Sequence, residues 1–128
     1  MSQALAAALL GLAWAAGLTV VVECVTSVLL GMRSRCDLAI VALVNLATNP
    51  VLNVVMILAA PLLLKTGTWF VALAALEVAV VLVEWRVFAW AFGARLEHPL
   101  AFALALNLAS LGAGFLLGRF VPGLAWAA

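Results

Sequence analysis

Residues 38–64 read LAIVALVNLATNPVLNVVMILAAPLLL, from Leu38 to Leu64, without one charged side chain. At 1.5 Å of rise per residue, a helix of that length exceeds the roughly 30 Å hydrocarbon core of a bilayer. The stretch therefore predicts a membrane-spanning helix, and its excess length requires tilt or bending. Working outward, three further apolar runs have the same character: about Ala4 to Leu30, Thr68 to Phe92, and Pro99 to about Gly118. Proline at the start of the last one is a favoured first helical residue. The connectors are short, at Gly31–Asp37, Lys65–Gly67 and Gly93–His98. Alternating strands of the kind that build outer-membrane barrels are absent. The expected fold is all-α, a polytopic membrane protein with four transmembrane helices in a single domain over residues 1–128.

Composition agrees. The chain is 70% hydrophobic and 9% charged, whereas soluble domains carry about 25% charged residues. Too few polar groups exist to cover a water-facing surface, so the solvent for the exterior is lipid. Four spans leave no length for a nucleotide-binding domain, a catalytic lobe or a nucleic-acid face. The net charge of +1 steers toward no particular partner. The N-terminus lacks the basic region of a secretory signal, so the first run is expected to be retained as a helix. Cys24 falls in a span and Cys36 in a connector, and no disulfide is expected between them.

Arg33, Arg35 and Arg95, with Arg86 nearby, lie on the side of the first and third connectors; Lys65 and Arg119 lie on the other. The positive-inside rule places both termini on the non-cytoplasmic side of a cell (inner) membrane. Trp69, Trp85 and Trp90 stand toward helix ends, where aromatic belts form.

The two halves of the sequence resemble each other. Glu23, Gly31-Met32-Arg33 and Asn45-Leu46-Ala47-Thr48 recur as Glu84, Gly93-Ala94-Arg95 and Asn107-Leu108-Ala109-Ser110. The G-x-R and N-L-A-[ST] pieces share one offset, and the glutamate slips by one residue. This predicts a tandem repeat of a two-helix hairpin, repeat 1 over about residues 4–64 and repeat 2 over about 68–118. An even number of crossings per repeat makes the copies parallel, related by an axis along the membrane normal.

The polar residues within the spans are the candidate site. An ionised, unpaired carboxylate at mid-membrane costs roughly 2.5–3.5 kcal/mol, yet Glu23, Glu77 and Glu84 all lie in apolar runs. Counted from the connectors, Glu23, Asn45, Glu84 and Asn107 fall in one layer, one from each helix; Glu77 and Asn53 lie deeper. Asn45, Asn49 and Asn53 recur every four residues and share a helix face, as do Glu77 and Glu84 at a spacing of seven. With Thr48 and Ser110 these groups predict a transport or ion-binding site between the repeats. Their amides and carboxyls also serve as interhelical glue, and for the asparagines both readings stand. Three glutamates favour function, because glue alone rarely needs so costly a group. Pro50 removes one backbone donor and frees the Leu46 carbonyl, which marks a hinge or an ion ligand.

Small-xxx-small stripes at Ala7, Gly11 and Ala15, and at Ser110, Gly114 and Gly118, predict close helix approach. The spacing does not say whether the partner helix is in the same chain; four helices of this size barely enclose a pathway, which points to a homo-oligomer or a larger membrane complex. His98 sits alone in a connector and defines no metal site. No H-E-x-x-H, C-x-x-C, G-x-S-x-G or phosphate loop occurs, so no enzyme and no cofactor is expected.

The segment Asn45-x-x-Thr48-Asn49-Pro50-x-x-Asn53, with Glu77 and Glu84, resembles small bacterial four-helix membrane proteins of no assigned function, which implies the fold but no mechanism. Glu23 with Thr26 is faintly similar to the first-helix glutamate of small multidrug transporters, although that family's aromatic third-helix face is missing. The signatures of the fluoride channels are absent. Three functions remain: a small channel or an ion- or proton-coupled transporter of a small ion or solute; a non-catalytic subunit or assembly factor of a larger complex; and, least supported, an intramembrane lipid-modifying enzyme.

Overall fold

Each apolar run forms one helix, and the caps rather than the end of hydrophobicity set the boundaries. In the computed structural model, which describes residues 3–120, the helices are α1 (Gln3–Leu29), α2 (Arg35–Thr66), α3 (Trp69–Phe92) and α4 (Pro99–Phe120). A short 3₁₀ turn, Gly93–Arg95, follows α3. Helix α2 begins three residues before its apolar run because the Ser34 side chain accepts the Asp37 N–H at 3.0 Å. That bond satisfies a donor the first turn would leave free. At the other end Gly67, at φ 69°, takes the left-handed conformation, and its N–H donates back into the last turn. That conformation suits glycine because it carries no Cβ. The helix runs unbroken through Pro50 and Pro61.

Among the described residues, α1, α2 and α4 are long and apolar enough to cross a membrane, over Leu9–Leu29, Arg35–Thr66 and Pro99–Arg119. Helix α3 has 24 residues and is otherwise as apolar as its neighbours, but it carries three charged side chains, Glu77, Glu84 and Arg86, close together. The four helices form a ring: α1 packs on α2 and α4, and α3 packs on the same two. Neither α1 with α3 nor α2 with α4 is in contact. The outward faces are apolar, as at Leu58 and Trp90, which are 76% and 85% exposed.

The apolar core occupies the end of the ring near the first and third connectors. It consists of Met32, Val41, Val81, Phe88, Phe92, Phe102, Ala103 and Leu106. Phe88 stacks on Phe92 at 5.5 Å between centroids and meets Phe102 edge-on at 5.3 Å. Over this plug Arg95 bonds Asp37 at 3.0 Å, tying the 3₁₀ turn to the start of α2. This end of the bundle is closed.

Candidate functional site

The four helices bring the predicted polar layer together. Glu23 and Glu84 are 1% and 0% exposed, and Asn45 and Asn107 are buried beside them. Asn107 uses both of its N–H groups: one donates to the Ala103 carbonyl at 3.0 Å and the other to Glu84 Oε2. Thr48 Oγ1 on α2 lies 3.1 Å from Glu84 Oε1. Ser110 Oγ on α4 lies 3.2 Å from Glu23 Oε1. Each glutamate thus meets a hydroxyl from the other half of the chain.

Those hydroxyls have one hydrogen and more than one acceptor. Ser110 Oγ also stands 3.0 Å from the Asn107 carbonyl, and Thr48 Oγ1 stands 3.1 Å from that of Val44. An ionised carboxylate takes the hydroxyl hydrogen. A neutral carboxyl donates its own proton to the hydroxyl oxygen, and the hydroxyl then turns to the helix carbonyl. For Glu84, whose other oxygen accepts from Asn107, both states are satisfied by rotating one O–H, with no movement of heavy atoms. The arrangement can therefore take up and release a proton at little structural cost.

Nearer the termini the ring opens into a cavity of about 270 Å³. Its wall draws on all four helices and is largely apolar, with Thr19, Asn49, Asn53, Glu77, Asn107 and Ser110 as polar members. Asn53 Nδ2 donates to Asn49 Oδ1 at 2.6 Å, Asn49 Nδ2 to Thr19 Oγ1 at 3.4 Å, and Thr19 Oγ1 to the Ala15 carbonyl at 2.9 Å. This directed chain joins α2 to α1. Glu77 sits on the cavity wall, apart from the glutamate–hydroxyl pairs, and also borders an apolar groove on the outside of α3 and α4. Asn107 and Ser110 belong both to the buried layer and to the cavity wall, so they join the two.

Sequence reasoning missed Thr19, Ser27 and the Asp37–Arg95 pair. Thr19, Glu23 and Ser27 are spaced by four on one buried stripe of α1, a pattern visible in the sequence once the stripe is drawn. The two helices with small-residue stripes, α1 and α4, pack on each other, and Ala15 is buried. Gly11, Ala15, Ser110 and Gly114 also line the cavity, and a Cβ placed at Gly11 or Gly114 meets nothing within 4 Å. At those two glycines the stripes leave space. The Ala7 side chain lies outside the described residues. Arg86 reaches outward over the Trp85 ring and is not paired with a glutamate. Cys24 and Cys36 are free thiols. Among the described residues no cluster of His, Cys, Asp and Glu could hold a metal ion.

No family model, curated protein or solved structure matches this chain.

Proposed function

We propose that the chain is a four-span membrane transport protein, a small channel or an ion- or proton-coupled carrier, whose site lies between two parallel repeats. One observation carries the reading: buried Glu23 and Glu84 are each held by a hydroxyl from the opposite half, beside a largely apolar cavity with a few polar wall residues, framed by all four helices. Helix α3 counts as the fourth span because 24 residues reach across a core of roughly 30 Å. Of its charged groups, Glu84 is buried in the ring, Glu77 faces the cavity, and Arg86 has a side chain long enough to reach the interface.

Duplication is supported by the reciprocal contacts, Glu23 with Ser110 and Glu84 with Thr48, at equivalent positions of the two halves. Gly31 and Gly93, also equivalent, both take positive φ, at 97° and 52°. The working positions are Glu23 and Glu84 as titrating or ion-binding groups, with Asn45 and Asn107 beside them. Glu77, Asn49 and Asn53 line the approach, which opens on the side of the termini, the non-cytoplasmic side of a cell membrane on the arginine bias.

The second reading is a non-transporting subunit of a larger membrane complex. It is favoured by Glu84, which is fully buried with both oxygens hydrogen-bonded, as a purely structural group would be. Proton and cation flux into liposomes separates the two. Loss of flux in both Glu23→Gln and Glu84→Gln, with helicity and oligomer unchanged, establishes the site. No flux from the wild-type chain with any ion tried makes it a subunit.

A further inference from the structure

The two glutamates differ in one respect that the symmetry of the halves makes conspicuous. Both oxygens of Glu84 are engaged by donors. Around Glu23, three buried oxygens have no hydrogen-bond partner: Glu23 Oε2, Ser27 Oγ and Asn45 Oδ1. Their residues are 1%, 0% and 1% exposed. An unpaired buried polar atom costs roughly 1–3 kcal/mol, and three in one region are an unusual concentration. Glu23 and Ser27 are one turn apart on the buried stripe of α1. Asn45 of the packed α2 turns its amide toward the Glu23 carboxylate, while its Oδ1 has no partner at hydrogen-bond distance. The residue one turn after Glu84, in the place of Ser27, is Phe88, whose ring fills the core against Phe92 and Phe102. Among the described residues no partnerless oxygen lies around Glu84.

Carboxylate, amide and hydroxyl oxygens are hard ligands and suit hard cations. One carboxylate neutralises one positive charge. A divalent ion would leave a net buried charge, which costs several kcal/mol in a low-dielectric interior. Calcium asks for six to eight oxygens, and magnesium gives up its waters reluctantly. We propose that Glu23, Ser27 and Asn45 bind one alkali-metal cation, stripped of part or all of its water, between α1 and α2. This deepens the transport reading and rests on it: the cation is the transported or coupling ion. Ser110, bonded to Glu23 Oε1, orients the carboxylate from α4. That bond leaves Oε2 free for the ion.

The test measures binding, not flux. The purified full-length chain, in detergent and a sodium-free buffer of an organic cation, is titrated with sodium, lithium or potassium chloride at constant ionic strength. Calorimetry and thermal unfolding followed by tryptophan fluorescence are the readouts. At least one of the three ions is expected to bind saturably and raise the melting temperature. Glu23→Gln abolishes the response, Ser27→Ala weakens affinity about tenfold, the equivalent of about 1.4 kcal/mol, and Cys36→Ser, at an exposed thiol in the first turn of α2, retains it. Ser27→Ala removes only a hydroxyl, so it keeps the test open where the glutamate variant fails to fold. A wild-type response no greater than with the organic cation overturns the proposal. So does a response of wild-type strength in Ser27→Ala or in Glu23→Gln. Binding without flux refutes transport alone, and flux without cation binding refutes this site alone.

Discussion

Asn107→Leu removes one side chain's hydrogen bonds from the centre of the ring, and its cost follows from where they go. The N–H that donates to the Ala103 carbonyl is dispensable, since a helix carbonyl keeps its own backbone donor. The other N–H serves Glu84 Oε2, on a residue that is 0% exposed, so no water replaces it. Interhelical bonds in membranes average about 0.6 kcal/mol and reach about 1.7, whereas an orphaned buried polar atom costs roughly 1–3. The expected loss is about 1–2 kcal/mol. The equivalent Asn45→Leu, in sodium-free buffer, removes an amide that faces Glu23 over a longer contact and whose Oδ1 has no partner, so it costs less, about 0.5 kcal/mol. Reversible unfolding in mixed micelles of rising dodecyl sulfate content, followed by circular dichroism, measures both. Combining Asn107→Leu with Glu84→Met completes a double-mutant cycle with an expected coupling of about 1 kcal/mol. Equal costs for the two asparagines, or no coupling between Asn107 and Glu84, would refute the reasoning.

Two further outcomes follow from the closed end and the open end of the ring. Phe88→Ala breaks the aromatic plug, where Phe88 is fully buried between Phe92 and Phe102. In water such a change costs roughly 3–5 kcal/mol. In lipid the transfer share is small, because the tails are as apolar as the core, and unfolding in the same micelles should show about 2 kcal/mol. Gly114→Leu places a side chain in the cavity, where a Cβ meets nothing within 4 Å. Liposome flux should fall while the unfolding free energy moves by less than about 0.5 kcal/mol.

Much of the fold was legible because lipid allows few solutions. With no water to hydrogen-bond the backbone, an apolar run as long as Leu38–Leu64 has to be helical. The polar layer was legible for the same reason: Glu23, Glu84, Asn45 and Asn107 are costly among Leu, Val and Ala, so their depth on each run carries information. What the sequence did not reveal depends on side-chain direction. Counting residues sets Glu77 deeper than Glu84 on the same face, but the open cavity that it lines with Asn49 and Asn53 is visible only in the fold. The Gly11 and Gly114 stripes read as contact because spacing cannot distinguish a groove that another helix fills from one that stays open. Asp37 and Arg95 belong to different connectors in the sequence, and only the fold brings the α2 cap beside the 3₁₀ turn.

Helix α4 joins the two glutamates, and that junction is where coupling between them would arise. Asn107 holds Glu84 through its side chain and offers its backbone carbonyl to Ser110, whose hydroxyl also reaches Glu23. Ser110 has a single hydrogen, so its bond to Glu23 competes with its bond to the Asn107 carbonyl. A cation at Glu23 draws on the carboxylate charge that the hydroxyl also stabilises; a proton at Glu84 changes what Asn107 and Thr48 face. Besides the direct electrostatic interaction of the two carboxylates, a preference of one ion for a particular state of the other site can pass through this one turn of α4. By linkage the effect is the same in either direction. On the duplication reading, the halves have kept the glutamate and the asparagine but diverged one turn away, to Ser27 in one and Phe88 in the other. The second half gained a closed plug and a carboxyl held at both oxygens. The first kept oxygens without partners at Glu23, Ser27 and Asn45. If a cation binds there, interhelical glue and ion binding are not rival accounts of one polar layer, because each half performs one of them.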